Sequence, residues 1–110
     1  MPLFITYASY SPVGVKGMLD KPSDRTTAIK EMVEKGGGKL VDLFMTTGAN
    51  DVVLITEVPD GSDAVAMGMA VAASGSVSKL ETVRAWRASH FTAIAEKAAK
   101  VVAAYKPPGK

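Results

Sequence analysis

The sequence contains no cysteine and only one histidine, His90. The absence of cysteine excludes disulfides, thiolate nucleophiles and every zinc site that depends on Cys ligands. A lone histidine also leaves no pair of imidazoles for the common His-based metal sites within one chain. We therefore expect no metal and no other cofactor. The lack of disulfides is typical of a protein kept in the reducing cytoplasm.

Runs of like charge and long apolar runs are missing as well. The 13 Lys and Arg are interspersed with 11 Asp and Glu, and no basic stripe of the kind that binds nucleic acid is present. The longest weakly polar run, residues 64–73, is far shorter than the roughly 20 residues that span a bilayer. Residues 1–9 have neither the basic start nor the apolar stretch of a signal peptide. These absences predict a cytoplasmic protein that binds neither nucleic acid nor a membrane.

What the sequence does contain is enough apolar material for one core. Hydrophobic residues make up 47% and charged residues 22% of the 110 positions, which is ordinary for a globular protein. A chain of this length is expected to bury roughly 65% of its unfolded surface. We expect a single domain over residues 1–106, followed by a flexible tail at 107–110 where Pro107 and Pro108 end the ordered part.

Hydrophobic periodicity and turn residues predict alternating strands and helices. The predicted strands are 3–9, 39–47, 51–58 and 77–86; the predicted helices are 23–35, 64–73 and 89–105; residues 11–22 are interpreted as a loop with at most a short turn. Gly36, Gly37 and Gly38 are expected to end the first of these helices. Gly48-Ala49-Asn50 is expected to turn a hairpin between the second and third strands.

This order of elements favours an α+β fold. Few topologies accommodate it, and the ferredoxin-like β-α-β-β-α-β unit, here with an additional C-terminal helix, is the commonest. Such a sheet has helices on one face only. Both alternating sets of strand residues contain apolar side chains, such as Phe4 and Phe44 on one parity and Ile5 and Val41 on the other. The second face would be an exposed apolar patch that favours association, so we expect a second copy to cover it in a dimeric α/β barrel.

Several short motifs resemble the GYD-domain family of small bacterial proteins. They are Gly36–Leu40, Thr46–Val53, Glu57–Asp60 and Thr82–Trp86. The resemblance covers roughly Leu3 to Ala95. Asn50 stands in this chain where the tyrosine of the family's Gly-Tyr-Asp motif is usual. The resemblance implies a fold similar to that of dimeric α/β-barrel proteins and a homo-oligomer, and it leaves the activity open because the function of the family is uncharacterised.

Thr82, Arg84 and Trp86 are the best candidates for ligand binding. Side chains two positions apart in a regular strand point to the same side, so a guanidinium and an indole together could clamp a flat acidic ligand. Tyr7 on the first strand could add a hydroxyl to the same cavity. The alternative is that Arg84 pairs with a carboxylate across the sheet or across the dimer, because an arginine among apolar neighbours needs a partner.

Asp51 and His90 are weaker candidates for a catalytic role. Asp51 could act as a general base, but aspartate at a hairpin more often accepts backbone N–H bonds of the turn. His90 could bind haem as a single axial ligand or move a proton. The simpler interpretation places it in the first turn of the last helix, half exposed.

Three hypotheses for the function follow. The first is a homo-oligomeric small-molecule-binding domain with its pocket on the sheet face at the subunit interface. The second is a cofactor-independent isomerase or monooxygenase that holds a small hydrophobic or aromatic acid with Arg84 and uses Asp51 or His90 to move a proton; it relies on analogy between folds. The third is an assembly protein without a ligand, in which the charge-free helix at 64–73 is the contact surface.

Overall fold

A computed structural model describes all 110 residues of the chain. The elements in order are β1 Leu3–Tyr10, α1 Pro12–Asp20, α2 Thr26–Lys35, β2 Lys39–Met45, β3 Val52–Glu57, α3 Gly61–Ala73, β4 Val77–Ala85, a 3₁₀ turn at Ala88–His90, and α4 Phe91–Val102. No helix is long and apolar enough to cross a membrane.

The four strands form one open sheet in the order β2-β3-β1-β4, and all three neighbouring pairs are antiparallel. The outer strands β2 and β4 each follow a helix, so two β-α-β units interleave around the central pair β1 and β3. This is the ferredoxin-like α+β fold with an additional C-terminal helix that the sequence predicts. The dimer that was expected with it stays a prediction.

Cross-strand pairing divides the sheet residues between two faces, because residues directly opposite each other share a face. On one face Phe4 of β1 lies opposite Arg84, and Thr6 lies opposite Thr82. Phe4 packs there with Val58 and with Ala64 of α3, so this is the helix-covered face. The other face, which we call the open face, has no helix from the same chain; its central side chains are Ile5, Tyr7, Val53, Ile55, Val83 and Phe44.

The helices cover the two margins of the sheet rather than its centre. Helix α2 packs along β2, and α3 packs along β4. Val33 of α2 and Val58 beyond β3 are fully buried, so the best-packed contacts lie under α2 and next to the start of α3. The central strands β1 and β3 are left under a gap between the two helices.

One predicted loop is a helix. Residues 12–20 form α1, whereas the sequence interpretation gave a loop with at most a short turn. The Ser11 hydroxyl accepts the Gly14 N–H at 3.1 Å, and Pro12 occupies the first turn, where its missing N–H costs nothing. The cap therefore compensates for Gly14 and Gly17, whose poor helix propensity hides α1 in the sequence.

The hairpin and the end of α2 match the prediction, while the start of α2 is shifted. Thr46 N–H donates to the Asp51 carbonyl at 2.9 Å and closes the β2–β3 hairpin. Helix α2 ends at Gly36, as expected. It begins at Thr26 rather than Ser23, because Asp24 Oδ1 takes the Thr26 N–H at 2.9 Å in a local turn.

Helix α4 stands apart from the rest of the chain. None of its residues is buried, and its contacts within the chain are mainly with the 3₁₀ turn that precedes it. The chain is consequently elongated, with a longest dimension of 60 Å. Its apolar stripe, with Phe91, Val101 and Val102 all more than 60% exposed, has no partner within one chain.

Candidate functional site

An apolar cleft of about 280 Å³ lies between the sheet and the two helices that cover its margins. It follows from the fold, since α2 and α3 leave the central strands uncovered between them. Most of the lining side chains are apolar. The walls are built mainly from Ala28, Ile29 and Met32 of α2 and from Met67, Gly68 and Val71 of α3.

Three threonine hydroxyls lie in the floor of this cleft. Thr6 and Thr82 are cross-strand neighbours, and their hydroxyls share a hydrogen bond of 2.9 Å. Thr56 of β3 also lines the cleft and is buried. Because a hydroxyl can both donate and accept, the floor offers a few polar contacts within an otherwise apolar site.

The cleft is polar at one end, where Tyr10 and Arg25 line it. Burial raises the pKa of the Tyr10 hydroxyl above its ordinary value; the Arg25 guanidinium acts against this rise, and the Asp51 carboxylate adds to it. The Tyr10 hydroxyl is therefore protonated at neutral pH and can donate a hydrogen bond. Arg25 is the only charged residue that lines the cleft.

Of the four predicted ligand-binding residues, the structure places only Thr82 in the cleft. Tyr7 lies opposite Glu81 and Val53, so it belongs to the open face. Arg84 pairs with Phe4 near the start of β1, whereas Tyr10 is the last residue of that strand. The step from Phe4 to Tyr10 spans about 20 Å at roughly 3.3 Å per residue, which separates Arg84 from the polar end of the cleft.

Arg84 has partners other than a carboxylate. Its guanidinium donates to the Leu3 carbonyl at 3.1 Å and to the Ala85 carbonyl. It also stacks over the Trp86 ring with 4.3 Å to the ring centroid. The predicted proximity of arginine and indole on one strand is thus present, and the two groups contact each other directly. The salt bridge nearby belongs to Arg87, which lies 3.6 Å from Glu57.

The two catalytic candidates lie at opposite ends of the sheet. Asp51 Oδ2 accepts the backbone N–H of Tyr10 at 2.9 Å, so its carboxylate links the start of β3 to the end of β1 rather than to its own hairpin turn. His90 is the last residue of the exposed 3₁₀ turn, which lies between the end of β4 and the start of α4. Of the two, only His90 follows the end of β4 that carries Arg84, and the catalytic role of either residue stays a prediction. The Oδ1 atom of Asn50, beside Asp51, is buried without a hydrogen-bond partner.

Tyr10 and Arg25 are the lining residues that sequence reasoning missed as a pair. They are separated by α1 and by the turn before α2, so no spacing motif connects them. Tyr10 is the last residue of β1, and Arg25 directly precedes α2. The available signal was parity, because Tyr10 shares the even set of β1 with Thr6, whose partner Thr82 was already a candidate.

The fold and the cleft define a small ferredoxin-like α+β domain with an open sheet. Residues 4–95 match the model of the GYD domain family, and the chain therefore belongs to that family. The crystal structure of TTHA0845 from Thermus thermophilus is similar in fold, with a TM-score of 0.52 at 17% sequence identity over 80% of this chain and 96% of that chain. No curated protein matches the sequence.

Proposed function

We propose that this protein is a small-molecule-binding domain that acts as a homo-oligomer and holds its ligand in the apolar cleft. The observation that carries the proposal is the cleft itself, with a volume of about 280 Å³. Ligand sites are mostly apolar pockets of about 300 Å³ or more with a few placed polar groups. The volume suits a ligand of about nine non-hydrogen atoms if each takes the ~30 Å³ of a liquid water.

The hydroxyls in the floor and the polar end support binding rather than simple loose packing. A gap left by poor packing is expected to be apolar throughout. Here Thr6, Thr56 and Thr82 lie beneath the cleft, and Tyr10 and Arg25 lie at one end of it. A ligand with a polar group could therefore be oriented by the site.

The surface area supports the homo-oligomer. The chain has an accessible surface of 7762 Å², whereas a folded monomer of its mass is expected to have about 5,800 Å². The excess of about 2,000 Å² per chain is large enough for an obligate interface, since standard interfaces take about 800 Å² from each partner. Helix α4, none of whose residues is buried, contributes to this excess.

The position of the pocket differs between the two lines of reasoning. The sequence interpretation places it on the sheet face at the subunit interface, and the cleft lies on the helix-covered face of a single chain. A pocket on the open face would need a second copy to close it, and it stays a prediction. The cleft needs no partner, which makes it the more direct candidate.

Calorimetric titration with 1-octanol tests the binding proposal. The native chain is expected to bind about one octanol per chain. Ala28→Leu adds three carbon atoms to a half-buried lining position of α2 and should weaken binding at least tenfold. Ala72→Leu makes the same change on α3 at an exposed position outside the cleft and should bind like the native chain. Equal affinity in the Ala28→Leu variant would refute the cleft as the site.

A further inference from the structure

A second hollow of about 530 Å³ lies next to the polar end of the cleft, between α1 and the start of α2. Tyr10, Arg25 and Ser76 line both spaces, so the two are adjacent and share one wall. The lining of the second hollow is mostly polar or glycine, and it includes Lys21 just beyond the end of α1. The apolar cleft therefore adjoins a hollow whose lining includes two cations.

Both charged residues of the second hollow are cations. Lys21 and Arg25 are the only charged residues that line it, and no acidic residue lines either space. The ion pairs of the chain involve Lys16 and Arg87 instead. Neither Lys21 nor Arg25 therefore has a carboxylate within ion-pair distance.

Asp20, Asp24 and Asp51 have other hydrogen-bond partners. Asp20 pairs with Lys16 at 2.7 Å. Asp24 accepts the Thr26 N–H at 2.9 Å, and Asp51 accepts the Tyr10 N–H at 2.9 Å. None of these carboxylates lies within ion-pair distance of Lys21 or Arg25, so both cations can pair with an anionic ligand.

We infer that the combined site binds an amphipathic anion, with its apolar part in the cleft and its anionic head between Arg25 and Lys21. The inference rests on the proposed binding function and adds the class of ligand. A medium-chain or aromatic carboxylic acid has this chemistry. Its carboxylate would accept hydrogen bonds from the planar guanidinium of Arg25, and the Tyr10 hydroxyl at the junction could donate a further one.

The test compares three eight-carbon ligands with different head groups, each titrated calorimetrically into the full chain at low ionic strength. They are octanoate, 1-octanol and octylammonium. We expect octanoate to bind tightest and octylammonium weakest. Added salt should reduce the preference for octanoate, because screening weakens exposed charge interactions.

Two double variants with the same loss of charge locate the head-group site. Lys21→Gln with Arg25→Gln should weaken octanoate about tenfold, the size expected for two partly exposed charge contacts, and should weaken 1-octanol much less. Lys30→Gln with Lys35→Gln, on the exposed side of α2, should leave all three ligands unchanged.

The possible results separate the two proposals. If all three ligands bind equally, or if octylammonium binds tightest, the anion inference is wrong and the binding proposal stands. The inference is also wrong if the Lys21/Arg25 variant keeps the full preference for octanoate. If none of the three ligands binds, the binding proposal itself fails.

Discussion

Gly37 and Gly38 have different roles in the turn that leads from α2 into β2. Gly37 has φ of +84°, a left-handed conformation that costs other residues energy. Gly38 has no positive φ, but a Cβ atom there would lie 2.5 Å from the Glu57 carbonyl oxygen and 2.7 Å from Val58 Cγ1. Its role is close approach of the chain to β3, beside the fully buried Val33 and Val58.

Replacing Gly38 with alanine should therefore destabilise the protein. We expect Gly38→Ala to lower the free energy of unfolding by about 1–3 kcal/mol, the usual cost of overpacking a tight site. Urea denaturation followed by circular dichroism measures the change. The matched control is Gly61→Ala, where a Cβ would meet no atom within 4 Å. Equal stability of the two variants would contradict the close-approach argument.

Helix α3 begins with a complete capping box. Asp60 Oδ1 accepts the Ser62 N–H at 2.7 Å, and the Asp63 side chain accepts the Asp60 N–H at 3.1 Å. Hydrogen bonds from the Ser62 hydroxyl and N–H lower the pKa of Asp60 below its ordinary value of 3.8. The ionised cap thus stabilises α3 at neutral pH.

The contribution of the Asp60 cap should be lost in acid. Because the folded-state pKa is depressed, the stabilisation is fully present well above pH 3.8 and declines as the pH falls through the lower folded value. Asp60→Ala should be less stable than the native chain at pH 6, and the gap should narrow below pH 3.8. Thermal melts of both proteins across this range measure it.

The control for Asp60→Ala is Glu31→Ala, which also removes one exposed carboxylate but lies on α2 and leaves the α3 cap intact. Its difference in melting temperature from the native chain should not narrow over the acid range in the way expected for Asp60→Ala. An Asp60→Ala difference that is constant from pH 6 to pH 2.5 would show that the ionised cap does not stabilise the helix.

The elements that the sequence predicts well are those whose signals agree with one another. Helix α2 has apolar residues at helical spacing and a run of glycines at its end, and the β2–β3 hairpin has Gly48 with φ of +92° at its turn. Helix α1 was missed because Gly14 and Gly17 outweigh the Ser11-Pro12 start when propensity alone is considered. The 3₁₀ turn at 88–90 carried no sequence signal that separates it from the α4 that follows.

At the scale of the whole molecule, the strand topology was predictable and the division of side chains between the two faces only partly so, because the irregularity between Leu40 and Asp42 places Phe44 on the open face; the cleft was not predictable. Alternation along β1 and β4 assigns Thr82 and Arg84 to one side. Alternation does not predict the distance between α2 and α3 on that side, and this distance creates the cleft. Arg25 joins the site only because α1 and the following turn lead the chain past the end of β1.

The open face also decides how two copies should meet. Ile5 of β1 lies directly opposite Ile55 on one side and Val83 on the other, so apolar side chains cross three neighbouring strands. This row lacks any cover from its own chain, and burying it would yield roughly 25 cal/mol per Å² of apolar surface. We therefore expect the homo-oligomer to form through the open face.

Val83→Lys tests this arrangement, because it places a charge in the middle of the expected interface, where an unpaired buried charge is costly. Light scattering coupled to size exclusion at micromolar concentration should give a multiple of the 11.5 kDa chain mass for the native protein and a shift toward one chain for the variant. Val65→Lys, at a 62% exposed position of α3, is the matched control and should keep the native mass.

If Val65→Lys dissociates the assembly while Val83→Lys does not, the subunits meet through the charge-free helix instead. If the native chain is already monomeric, the homo-oligomer proposal is wrong, and something other than a second copy must cover the apolar side chains of the open face.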